Sequence, residues 1–297
     1  MTFLTRVLVK VAALYIRRTP DHWGRWRLER WVIVKSSVLR GYLSPRVVRT
    51  RLGFEIFVDG DSKAGRILYA TGRYEEPIAR LFGLLTRTGD CVVDGGAHIG
   101  FFSILAARRV GSEGRVWSFE PTPTTVKRLQ ANLDLNHCQN VSVRQEALSD
   151  GPGRAVLSLA SVADTGQATL RSLPNVSRQD SVRLVALDDV LAGGQTVALV
   201  KLDLEGAELA ALRGMRRILT ACRPHIIVEV TDEFLRRVQG SAAELYDYLV
   251  DFGYKAYVIE ANGLKNIDSR QEFTDVAEQF NALFTVTPPT ARFMDRL

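Results

Sequence analysis

The chain is predicted to be an α/β protein on a doubly wound, Rossmann-like, mostly parallel sheet that carries an N-terminal helical and β appendage. Three observations lead there. From about residue 76 short apolar runs alternate with amphipathic helical stretches, the pattern of strands covered by helices on both faces. Acids stand at the ends of successive apolar runs, and the first is followed by Gly95, Gly96 and Gly100. The charge also breaks near residue 52. Residues 1–52 hold 12 Lys/Arg against 2 Asp/Glu, and the remainder holds 27 against 31. The formal net charge of +6 therefore hides a basic head on an acidic body. Such a body gives no reason to expect a nucleic-acid partner.

The head, residues 1–52, starts with a helix. Arg6, Lys10 and Arg17 fall on one side of it, and Leu4, Val7, Val11, Leu14 and Tyr15 on the other. Trp23, Trp26 and Trp31 follow, interleaved with arginines. This composition suits a helix resting on an anionic membrane, and equally one packed on its own body or on a second copy in a homodimer. Lys10 interrupts the apolar stretch and no small-residue cleavage site follows, so a signal peptide is not expected. Three cysteines without paired spacing point to a reducing, cytoplasmic setting, with peripheral attachment to the inner membrane face as an option. No apolar run is long enough to span a bilayer.

Residues 53–297 form the second predicted domain. "VVRTRLGFEIFVDG" reads as two strands around Gly53, and "EEPIARLFGLL" as a helix. "CVVDG", "GRVWSFE", "VSVRQEAL", "VALVKLDL" and "PHIIVEV" read as strands. Between them "PTTVKRLQANLDLN" presents Val126, Leu129 and Leu133 on one helical face, and "ELAALRGMRRIL" reads as one helix. The Ser/Thr/Gly-rich stretch 153–186 suits a β insertion. Residues 241–253, 254–260 and 282–287 continue as helix, strand and strand.

Asp94 decides the cofactor. A dinucleotide fingerprint places its glycines directly after the strand and its ribose acid about twenty residues on. Here an acid opens the turn, His98 stands where many such loops carry glycine, and the next strand-end acid, Glu120, lies 26 residues after Asp94. A carboxylate repels a pyrophosphate but favours a cationic sulfonium bearing an amino group. Asp94 therefore points to S-adenosylmethionine, with Glu120 placed for the ribose hydroxyls. A dinucleotide oxidoreductase is disfavoured on the same ground.

Several blocks, in order and spacing, resemble the FkbM family of class I methyltransferases. They are "VVDGGAHIGFFSILAA", "GRVWSFEPTPTTVKRLQANLDLN", "EALSD", "LDDVL", "VKLDLEGAELAALRGM" and "IIVEV", across about residues 70–230. The resemblance implies a class I methyltransferase sheet and S-adenosylmethionine-dependent O-methylation of a sugar, glycolipid or polyketide-type hydroxyl. Its acceptor would be a small molecule or a lipid-linked glycan. It implies cofactor contacts from Asp94, Gly96, His98, Gly100, Glu120, Pro121, Glu146 and Ala147, with Glu146 at the adenine. Tyr74 and Glu75 resemble the family's entry motif. His98 departs from the Asn more usual there. "FEP" followed by Asn132 and Asn136 is also similar to some tRNA-modifying relatives, and an RNA methyltransferase is the alternative.

An alcohol is a poor methyl acceptor unless a base takes its proton. "KLDLEGAE" offers Lys201, Asp203, Glu205 and Glu208 at a strand end. Alternation puts Lys201 and Asp203 on one face, where they form a structural ion pair or expose Asp203 to the acceptor, with Glu205 as the other candidate base. Glu208 suits the first turn of a helix, and His225, at a strand start, reads as structural. Asp203 and Glu229, with Asn262 as a third group, make too thin a ligand set, and no metal is assigned.

Overall fold

The computed structural model describes residues 3–19, 27–29, 45–60, 62–159, 168–169, 178–191 and 193–287. The chain divides into two compact units, Met1–Glu75 with Ser161–Gln167, and Glu76–Ala160 with Ala168–Leu297. The first unit thus reaches past residue 52.

In the first unit, helix α1 (Phe3–Arg18) precedes an antiparallel hairpin of β1 (Arg46–Arg49) and β2 (Glu55–Val58), then helix α2 (Lys63–Thr71). Ser62 caps α2 by accepting from the Gly65 amide at 3.0 Å. Ala12 and Ile16 of α1 are buried in one cluster with Ala70 of α2. Ala12 and Ala70 there allow a close helix approach, and arginines donate to carbonyls in the last turn of each helix. Arg17 donates to Leu68 O at 2.8 Å and to Tyr69 O at 3.0 Å. Arg51 donates to Arg17 O at 2.7 Å. Arg17, expected on a basic outer side, is therefore half-buried and committed to the protein. Trp23, Trp26 and Trp31 lie outside the described residues, as do the side chains of Leu4, Arg6, Val7 and Lys10.

The second unit opens with α3 (Glu76–Leu85), β3 (Cys91–Gly95), α4 (Phe101–Val110), β4 (Arg115–Phe119), α5 (Pro123–Leu135), β5 (Val141–Arg144) and β6 (Ala147–Leu148). A small sheet follows from β7 (Gly153–Leu159), β8 (Ala168–Thr169) and β9 (Arg178–Val185), then α6 (Leu187–Val190), β10 (Val197–Leu202), α7 (Glu208–Arg213), α8 (Arg216–Ala221) and β11 (His225–Thr231). The chain continues through α9 (Asp232–Arg237), α10 (Ala242–Asp251), β12 (Lys255–Glu260), β13 (Gly263–Ile267), α11 (Arg270–Thr274) and β14 (Gln279–Thr285).

The main sheet runs β13-β12-β14-β11-β10-β3-β4-β5. Strands β11, β10, β3, β4 and β5 are parallel, and β14, β12 and β13 form an antiparallel edge. Val92, Val93, Leu199, Val200, Ile226, Ile227 and Val228 are wholly buried. Such continuous apolar runs are what helices on both faces of a parallel sheet require. The chain leaves β3 toward β4 and β5 and later returns on β3's other side as β10. Strand order therefore reverses between β3 and β10, where ligands of open α/β sheets bind at the carboxyl ends.

Two elements differ from expectation. "VSVRQEAL" is not one strand, because β5 belongs to the main sheet and β6 pairs with β9 in the smaller one. "ELAALRGMRRIL" is two helices broken at Gly214. A Cβ there would strike the carbonyl of Ser149, so the chain turns where only glycine fits. The β insertion takes the form of a β7–β9 hairpin with β8 paired to β7.

Candidate active site at the switch point

Asp94 ends β3 with 1% of its surface exposed. Its Oδ2 accepts from Ser103 Oγ at 2.6 Å, and Ser103 accepts from Ser118 Oγ at 2.8 Å, so two hydroxyls from α4 and β4 hold one side of the carboxylate. The other oxygen, Oδ1, is buried without a hydrogen-bond partner. Burial pushes this carboxyl above its ordinary range, with Lys201 and the Ser103 hydrogen bond opposing the shift. A buried acid with one idle oxygen is costly alone and suits a cationic ligand.

The loop that follows is shaped by left-handed backbone. Gly96 has φ +79, and a Cβ on it would run into the carbonyl oxygen of Asp203. Gly96 and Ala97 amides both donate to Phe119 O at 2.9 Å. Gly100, with φ +92, packs on Leu129. His98 has φ +48, a region that Asn and His tolerate better than most side chains. That preference accounts for both the family's Asn and this chain's His. The His98 amide donates to Glu120 Oε2 at 3.1 Å, and the Thr122 amide, just past the half-buried Pro121, donates to Oε1 at 2.9 Å. Burial pushes Glu120 upward against these backbone bonds. Each oxygen keeps a lone pair for a hydroxyl. The unpaired Asp94 Oδ1, the side-chain-free Gly96 and the amide-held Glu120 together fit S-adenosylmethionine.

Beside β3, Lys201 of β10 is 3% exposed, in register with Asp94. Its Nζ lies 3.0 Å from Asp203 Oδ2 and 4.9 Å from the centroid of the Phe102 ring. Asp203 also shares a hydrogen bond with Glu229 at the end of β11, and Glu229 Oε1 accepts from Gln279 Nε2 of β14 at 2.8 Å. Burial favours the neutral form of Asp203, but the charge and hydrogen bond of Lys201, with the Glu229 hydrogen bond, override it and hold Asp203 below its usual range. Burial and then the Asp203 charge drive Glu229 upward. The two shifts run in opposite directions, which makes Glu229 the member of the pair that favours its protonated form. Among the described residues no group of three His, Cys, Asp or Glu could hold a metal, and the Lys201 ammonium supplies the positive charge beside Asp203.

Glu229 stays neutral in the fold, so its contribution to stability is complete below the ordinary glutamate range and is lost as pH rises toward its raised value. Asp203 acts oppositely, contributing above the ordinary aspartate range and losing that contribution as pH falls through its lowered value. Melting temperature should thus decline with pH above the ordinary glutamate range, and Glu229→Gln should flatten that decline. An unchanged slope in the variant would put the shared proton elsewhere.

Glu208 has a task that its sequence position did not suggest. Only 2% exposed, it reaches back so that Oε1 accepts from the amides of Leu204 at 2.7 Å and Gly206 at 3.2 Å. Burial pushes it up to about 7. It clasps the turn that carries Asp203 and Glu205, and Glu205 itself sits half-buried at φ +52. An acid at the first position of a helix that follows a glycine turn was the available signal.

Glu146 is 6% exposed and bound by Arg144 at 2.7 Å and Arg183 at 3.2 Å, next to the buried Ala147 of β6. Asn132 is wholly buried and donates to Ile99 O at 2.8 Å, bracing the glycine loop. His225 meets Thr285 Oγ1 at 2.9 Å. Tyr74 and Glu75 belong to the first unit, and Asn262 is exposed in the turn between β12 and β13.

The chain is similar in sequence to known methyltransferases. Hexuronic acid methyltransferase AglP of Haloferax volcanii is 25% identical over 206 residues, covering 69% of this chain and 80% of its own. The 31-O-demethyl-FK506 methyltransferase FkbM of Streptomyces tacrolimicus is 26% identical over 203 residues, 58% of this chain and 75% of its own. Among solved structures, methyltransferase FkbM from Methylobacillus flagellatus KT aligns with a TM-score of 0.45 at 20% identity, covering 89% of this chain and 61% of that one. The profile of the methyltransferase FkbM domain matches residues 94–256, from the acid of the glycine loop to the start of β12. With more than half its length in that match, the chain belongs to the FkbM family of methyltransferases.

Proposed function

We propose that the chain is an S-adenosylmethionine-dependent O-methyltransferase acting on a hydroxyl of a sugar, glycolipid or polyketide-type acceptor. The observation that carries this reading is the carboxylate of Asp203, held ionised by buried Lys201 one strand away from Asp94. When bound, the cofactor supplies a methyl group on a cationic sulfur. Asp94 would hold its amino end, Glu120 its ribose hydroxyls, and Gly96 would leave room for its backbone approach. Asp203 accepts the acceptor's proton. A carboxylate of lowered pKa is a weak base, but an alcohol oxygen becomes strongly acidic as it gains a carbon, so the proton passes late, as the bond forms. Glu229, neutral, donates a hydrogen bond to Asp203 and keeps it oriented.

The hydroxyl assignment is supported by the similarity to proteins named for hexuronic acid and for 31-O-demethyl-FK506. It is tested by incubating the protein with methyl-labelled cofactor and fractionated host extract, with and without chelator. Label in a sugar, glycolipid or small-molecule fraction, unaffected by chelator, supports the reading. Label in RNA overturns it, and loss of labelling with chelator would overturn the metal-free site.

A further inference from the structure

Helix α1 packs on the rest of its unit through one apolar side. Ala12, Ala13 and Ile16 are buried, at 7%, 4% and 0% exposure. A second set of apolar side chains faces out. Leu8, Val11, Leu14 and Tyr15 are 52%, 58%, 50% and 44% exposed. At 100° per residue these four occupy one continuous arc, with exposed Arg18 inside it at the helix's last turn. The helix is not free to roll this face inward, because Arg17 is tied to the carbonyls of α2 and Arg51 to that of Arg17. An outward aliphatic stripe on an anchored helix is a surface suited to a partner.

Charge selects that partner. Residues 1–52 carry 12 Lys/Arg and 2 Asp/Glu. A second copy would oppose one basic head to another, and like charges disfavour that pairing. An anionic lipid surface matches both properties at once, taking the aliphatic stripe among its acyl chains and the arginines among its headgroups. No helix among the described residues is long and apolar enough to cross a membrane, so the contact is peripheral. We infer that α1 lies flat on an anionic bilayer surface through Leu8, Val11 and Leu14. This goes beyond the methyltransferase reading and does not depend on it.

The test is flotation of the full-length chain with vesicles of equimolar phosphatidylserine and phosphatidylcholine, against phosphatidylcholine alone. The protein should float with the anionic vesicles at low salt, be released at high salt, and ignore the neutral ones. A Leu8→Glu/Val11→Glu/Leu14→Glu variant should bind at least about tenfold more weakly, since three apolar groups are removed from the acyl region. Its melting temperature should be unchanged, because those side chains are exposed. Should the variant unfold, Arg18→Glu alone should lower binding in a salt-dependent way. Failure of the parent chain to float at low salt would overturn the inference. So would undiminished binding by the charged variants, or sedimentation showing a dimer that the triple variant dissociates.

Discussion

Asp203→Asn should lower kcat by about two to four decades, the usual size of a positioned base's contribution, while S-adenosylhomocysteine affinity stays close to that of the parent. Asparagine preserves the shape and can still accept from Lys201, but it cannot take a proton from an alcohol. The effect must be separated from the loss of an ion pair. Lys201 is 3% exposed, and its partner across 3.0 Å would become neutral. An uncompensated buried charge is destabilising in its own right. Melting temperature should therefore be read beside the kinetics, and the Lys201→Met/Asp203→Asn double variant, which removes the stranded cation, should regain stability and remain inactive. Near-normal turnover in the single or the recovered double variant would return Asp203 to a structural pair with Lys201.

The second large effect falls on cofactor affinity. Asp94→Ala and Glu120→Ala should each weaken S-adenosylhomocysteine binding by about 1.5–3 kcal/mol, the worth of charge-assisted hydrogen bonds in a water-poor site. The two substitutions act differently on the free protein. Asp94 is strained upward by burial with one oxygen unpartnered, so its removal should cost the apo fold little while costing the complex much. Glu120 anchors the His98 and Thr122 amides, and Glu120→Ala should also loosen the loop and lower the apo melting temperature. Calorimetry showing parental affinity in both variants would remove the cofactor assignment from this loop.

Position along the chain was legible where local pattern determines it, and partnership was not. Val92 and Val93 followed by an acid and glycines mark a buried strand with a ligand turn at its end, because the backbone constraint lies within a few residues. The same holds for Glu120 after "RVWSF" and for Lys201 and Asp203 on one face of β10. Glu146 shows the limit. Its engagement by Arg183 depends on β6 pairing with β9, a contact between segments more than thirty residues apart that no local period encodes. The neutral state of Glu229 likewise follows from its meeting Asp203 across two strands and Gln279 on a third. For α1 the apolar arc was visible, but not that Ala12, Ala13 and Ile16, on another side of the helix, would make the intramolecular contact.

The junction of the two site loops has a consequence for how this enzyme can change. The Asp203 amide donates to Gly95 O at 3.1 Å, and the Asp203 carbonyl fills the space that a side chain on Gly96 would need. The glycine loop and the Asp203 turn are thus fastened to each other through backbone, and under the proposed function this fixes the alignment of donor and base, where an ångström of error costs about a hundredfold. Acceptor choice is then free to drift in segments outside that junction without retuning the transfer step. Under the proposed function, swapping segments outside that junction is the rational route to redirecting the transfer.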